Sequence, residues 1–214
     1  MLWKQFCASF LVSAFIVSSP VSLLADDKLP NYARVPDFKF TERSGKEIKL
    51  ADLKGNVWIA DFIFTRCQGT CPLLTGQMAG LQEKLAPSDI KLVSFSVDPE
   101  HDTPRVLSEY ASRYHAQENK WFFLTGPKNE MWNFVTDGFS LGVSKPTPED
   151  LKAGAEPVIH SNRFVLVDRG SNIRGYYDGS EASAVQKLIE DALQLTSSLR
   201  GAERRQSVER RLAA

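Results

Sequence analysis

The stretch from Val57 to Phe64, apolar apart from Asp61, limits what this chain can fold into more than any other. Its length and its β-branched and aromatic content are those of a buried strand. It runs into a short polar loop that holds two cysteines four positions apart, Cys67 and Cys71. Pro72 follows at once, a residue suited to the first position of a helix, where its missing N–H costs nothing. Leu73, Leu74, Met78, Leu81 and Leu85 then recur at helical spacing, so Met78 belongs to the core stripe. The unit is strand, cysteine loop, helix. Cys71 therefore stands at or next to a helix N-cap, where the macrodipole and unpaired N–H groups favour a thiolate. Two soft sulfurs at the end of a buried strand make a site for redox chemistry or for a soft metal.

The rest of the chain builds a domain around that unit. Phe38 and Phe40 alternate with polar residues, Arg43 to Lys46 is a turn, and Glu47 to Leu50 returns as the partner strand of a hairpin. Ile90 to Val97 is a second buried strand. Thr103 caps a helix that opens at Pro104 and runs to about Tyr114. Trp121 to Leu124 is a short strand, and Asn129 to Phe139 a helix. The segment from Gly142 to Val158, rich in proline and charge and without apolar period, reads as a loop excursion. Arg163 to Asp168 and Ile173 to Asp178 pair across the turn at Arg169 to Asn172, and Ala184 to Leu195 closes the domain as an amphipathic helix. Strands alternating with helices, with hairpins at both ends, predict an α/β fold: a mixed central sheet flanked by helices in the thioredoxin-like arrangement.

Export is written at the N-terminus. Lys4 is the only charge before Asp26, and Gln5 to Ala25 is mostly apolar with five serines and Pro20. Residues 1–25 thus read as a secretory signal peptide or an N-terminal membrane anchor. Residues 31–198 form one domain, large enough at about 170 residues to bury its own core. Residues 199–214 are a basic C-terminal tail carrying Arg204, Arg205, Arg210 and Arg211. Lys and Arg number 26 against 26 Asp and Glu, which leaves no electrostatic case for a nucleic-acid partner. If cleavage removes Cys7, only Cys67 and Cys71 remain. An exported domain of this size needs no disulfide staple, and a bridge closing so short a loop gains little chain entropy. The residues alone leave three readings of the pair open: a structural disulfide, a redox dithiol, or two metal ligands.

Four segments together resemble the Sco/SenC family: Phe-Thr-Arg-Cys-Gln-Gly-Thr-Cys-Pro at 64–72, Val-Asp-Pro-Glu-His-Asp-Thr-Pro at 97–104, Leu-Thr-Gly at 124–126, and His160 ahead of Phe-Val-Leu-Val-Asp at 164–168. The likeness extends from about Val35 to Leu195. Where the family usually has proline between the cysteines, this chain has Gln68-Gly69. The resemblance implies a thioredoxin-like fold, an exported and membrane-associated protein at the periplasm or the periplasmic face of the inner membrane, and copper handling for cytochrome c oxidase assembly. It implies Cys67, Cys71 and His160 as ligands for Cu(I) and Cu(II), and delivery to the dinuclear copper centre of oxidase subunit II. Other periplasmic copper carriers or thioredoxin-like reductants are the further partners it implies.

The donor chemistry agrees, since thiolates select Cu(I) and imidazole suits either oxidation state. His160 precedes a core strand, so its loop is expected beside the cysteine tip in a parallel arrangement. Asp98 and Asp102, with Pro99 and Pro104, order a rigid turn beside the cysteine loop and orient the ligands from behind. Arg66 either acidifies Cys67 or is solvated, and His101 and His115 face solvent. The rival to a metallochaperone is a thiol-disulfide oxidoreductase in which Cys67 and Cys71 are the catalytic pair; thioredoxin-type enzymes, however, usually space their cysteines by two residues.

Overall fold

A computed structural model of the chain describes residues 29–144, 147 and 159–212. The expected signal or anchor, and most of the expected loop excursion, lie outside the described residues. Ten strands and five helices are described. In chain order they are β1 (Ala33–Arg34), β2 (Lys39–Glu42), β3 (Glu47–Lys49), α1 (Leu50–Leu53), β4 (Trp58–Ile63), α2 (Cys71–Lys84), β5 (Lys91–Ser96), α3 (Pro104–Arg113), β6 (Trp121–Thr125), α4 (Lys128–Asn133), β7 (Val143–Ser144), β8 (Ile159–His160), β9 (Arg163–Val167), β10 (Asn172–Asp178) and α5 (Ala182–Leu212). Eight of the strands form one sheet in the order β1-β10-β9-β4-β5-β6-β2-β3.

The centre of the sheet is made where the sequence is most apolar. Every residue of β4 is buried, and β4 pairs in parallel with β5, which pairs in parallel with β6. Parallel neighbours need crossovers, and α2 and α3 supply them. The predicted hairpin is β2 and β3, with Thr41 opposite Glu47, and β2 closes onto β6. Phe95 of β5 is the hub of the aromatic core, its ring within 6.4 Å (centroid to centroid) of Phe38, Phe40, Trp58, Phe62, Phe134 and Phe139.

Three details depart from the sequence expectation. The helix expected to Phe139 widens after Asn133 into a π-turn over Phe134–Gly138, which turns Phe134 and Val135 into the core. Such widening is uncommon and leaves no mark on apolar spacing. Val143–Ser144, expected within the loop excursion, is strand β7. Most importantly, β9 is antiparallel to β4, with Trp58 opposite Val167 and Ala60 opposite Val165, where a parallel arrangement was expected. An antiparallel neighbour begins where β4 ends. The chain that enters β9 from His160 therefore lies at the same end of the sheet as the cysteine loop, and parallel pairing would have sent it to the opposite end.

Candidate metal and dithiol site

The cysteine loop leaves β4 at Phe64 and re-enters regular structure at Cys71, the first residue of α2. Thr70 is the N-cap but makes no side-chain cap bond, and Pro72 follows in the first turn. Both cysteines are free thiols; Cys67 retains 8% exposure and Cys71 none. The two thiols are close enough to influence one another's ionisation. The expectation of an easily ionised Cys71 is corrected. Burial pushes its thiol far above the ordinary range, and the Cys67 sulfur and the buried Asp61 carboxyl add to the rise; the Phe64 backbone N–H works against it. Desolvation of an anion outweighs the helix terminus here. Cys67 is the sulfur open to a reagent; Cys71 lies behind it.

Asp61 is fully buried in the middle of β4. Neither carboxyl oxygen has a partner of good hydrogen-bond geometry. Burial raises its carboxyl to about 7, a rise that the neighbouring Ser94 hydroxyl and Asp61's own backbone only soften.

The segment from Ser96 to Thr103 buttresses the cysteine loop from the β5 side, as expected of Asp98 and Asp102. Asp102, wholly buried, accepts from the Thr65 backbone N–H (3.2 Å), Thr65 Oγ1 (2.5 Å) and Ser96 Oγ (2.6 Å). Asp98 accepts from Arg66 Nε at 2.6 Å, so the Arg66 guanidinium is engaged by a carboxylate. His101 is exposed, as predicted, and its Nδ1 contacts Asp102 Oδ1 at 3.0 Å. Asp98, His101 and Asp102 bring potential ligand atoms within 4.8 Å of one another, the one such group among the described residues. Their oxygens already serve Thr65, Ser96 and Arg66, and the cluster is the joint between two loops. Sequence reasoning missed Thr65 and Ser96; a hydroxyl beside each loop was the only signal available. Trp132 donates from Nε1 to the Val97 carbonyl at 2.8 Å and clamps the same segment from α4. His115 is exposed and Met78 is buried in the core, both as expected.

His160 is the second residue of β8, paired with Val143 of β7. Its side chain lies outside the described residues. A Cβ built on Gly179 would meet Leu74 Cδ2 at 2.5 Å and the Asn162 carbonyl at 3.0 Å. Asn162, two residues beyond His160, and Leu74, three residues beyond Cys71, thus both border Gly179.

Residues 26–196 match the model of the SCO1/SenC family. The chain belongs to that family. A SCO1 protein homolog of Bacillus subtilis is 40% identical over 164 residues, covering 75% of this chain and 81% of the relative. Among solved structures of Sco proteins, BsSco, described as a member of the Sco family of cytochrome c oxidase assembly proteins and as carrying a disulfide switch, is 35% identical with a TM-score of 0.67, over 79% of this chain and 96% of its own. Arabidopsis thaliana ScoI, solved with copper bound, is 26% identical with a TM-score of 0.63, over 76% and 99%. The fold shared with these Sco structures is thioredoxin-like.

Proposed function

We propose that this chain is a copper chaperone that takes up copper through Cys67, Cys71 and His160 and delivers it to the dinuclear copper centre of cytochrome c oxidase subunit II. Copper is cargo here. The observation that carries the reading is the pair of reduced, neighbouring sulfurs at the end of β4, at the sheet end where the chain from His160 enters β9. Two thiolates and a neutral imidazole suit Cu(I) and can also hold Cu(II). The donor set fits the ion in one further respect. Cys71 binds its proton tightly, so copper must displace it, which makes uptake a proton-releasing step. Asp98, Asp102 and Arg66 hold the loop in register from behind. The copper-bound Arabidopsis relative and the oxidase-assembly role of BsSco support the cargo and the destination. The chain acts outside the cytoplasmic membrane, carried there by residues 1–25 as a signal or an anchor, and works at the periplasmic face. Among the described residues no helix is long and apolar enough to cross a membrane.

The closeness of the two thiols favours a second reading: the pair cycles between dithiol and disulfide and reduces the cysteines of the oxidase copper site. One experiment separates them. In cells lacking the wild-type gene, His160→Ala is expected to lose oxidase assembly while the purified variant retains reactive thiols. Full assembly supported by His160→Ala would overturn copper delivery through this triad.

A further inference from the structure

The β5–α3 segment reaches the dithiol a second time, below the loop joint. Thr75 Oγ1 stands 2.8 Å from the Cys71 carbonyl oxygen and 2.8 Å from Tyr110 Oη. A carbonyl only accepts, and a threonine hydroxyl has one hydrogen. Thr75 therefore spends its hydrogen on Cys71, and Tyr110 must be the donor to Thr75. The result is a one-way chain, Tyr110 O–H to Thr75 O–H to the Cys71 carbonyl. A threonine bonded back to the carbonyl four residues earlier is common in helices. Here a phenol from another helix feeds it.

Thr75 is completely buried and Tyr110 nearly so. Bonds in such a setting are stronger than in water, and breaking one leaves an orphaned group. The Tyr110 ring is held in turn by Tyr114 (5.2 Å between centroids) and Phe123 (6.4 Å). At the start of α2, Thr70 makes no side-chain cap bond and Pro72 has no N–H. Tyr110 anchors it from α3.

We propose that Tyr110 is a positioning residue for the dithiol, acting through Thr75 to fix the Cys71 backbone and hence the approach of the Cys71 sulfur to Cys67. This rests on the reading of Cys67 and Cys71 as the reactive pair. Tyr110→Phe keeps the ring and removes the donor, Thr75→Val cuts the chain at constant shape, and Thr75→Ser keeps it. The full-length protein and these variants are equilibrated with glutathione, each protein disulfide formed turning one oxidised glutathione into two reduced ones. The dithiol–disulfide constant is then read by alkylation and mass spectrometry of the Cys67–Cys71 peptide. Tyr110→Phe and Thr75→Val should each move the constant in the same direction by about three- to tenfold, the loss of one buried hydrogen bond. The double variant should move no further than either single one, and Thr75→Ser should stay within about twofold of wild type. The visible spectrum of the Cu(II)-loaded protein should shift in the same two variants and return with Thr75→Ser. Unchanged constants, effects of Thr75→Ser as large as those of Thr75→Val, or changes that merely track loss of folded protein would overturn the proposal. If the wild type takes up no copper while the glutathione pattern holds, the copper reading fails and this one stands. If copper binds and the constants do not move, the reverse is true.

Discussion

Asp61 and Cys71 are the two residues whose environment sets them against their ordinary chemistry, and both follow from one cause, burial without a charged partner. A carboxyl held at about 7 in the fold, against 3.8 when free, binds more protons folded than unfolded between those values. Stability must then fall as pH rises from about 4 to about 7 and level off above, with a slope of at most about 1.4 kcal/mol per pH unit for one proton. Asp61→Asn should flatten that part of the profile, as thermal melts at stepped pH would reveal. Phe95 behaves in the opposite way, as a residue wholly satisfied by its surroundings. Phe95→Ala should cost about 3–5 kcal/mol in chemical denaturation, because six aromatic rings cannot collapse into the space it leaves. That Asp61 interrupts an apolar run was legible from the sequence. That no charged group offsets its burial, and that burial defeats the helix terminus at Cys71, depended on neighbours contributed by distant segments.

The strands and helices of the core were legible because each carries its own signal: near-continuous apolar runs for β4 and β9, alternation for β5, leucine spacing for α2, and Thr103 with Pro104 for α3. Thr103 does cap α3, accepting from the Val106 N–H. The two-residue strands β1, β7 and β8 were not legible, since two residues have no period. Nor does apolar content say whether β9 runs with β4 or against it. That direction matters most for the site, because it brings the segment after His160 down beside α2. The contact that seals the two is at Gly179, where a Cβ would strike Leu74 at 2.5 Å and the Asn162 carbonyl at 3.0 Å. A side-chain tip can yield, but a backbone carbonyl held in a strand turn cannot. Gly179→Ala should therefore destabilise the domain by about 1–3 kcal/mol and push the His160 segment away from the cysteines. The measurements are a denaturant midpoint and Cu(II) affinity on the same protein, both lowered.

Taken as a whole, the molecule is a sheet with the two cysteines at one end: β4 leads into the cysteine loop, β5 and α3 brace it from one side, and the chain leading into β9 starts at the same end. Copper uptake through the proposed Cys67, Cys71 and His160 ligands would compete with protons on two sulfurs and an imidazole. Affinity should thus fall as pH drops from neutral to mildly acidic, the more so because Cys71 holds its proton strongly. The most direct test of the account is metal stoichiometry and visible absorption of the reduced protein titrated with Cu(II), wild type beside Cys67→Ser, Cys71→Ser and His160→Ala. One copper should bind per wild-type chain with an intense sulfur-to-copper band, that band should be lost in both cysteine variants, and Cu(II) affinity should fall markedly in His160→Ala. A His160→Ala protein with wild-type affinity and spectrum would contradict it.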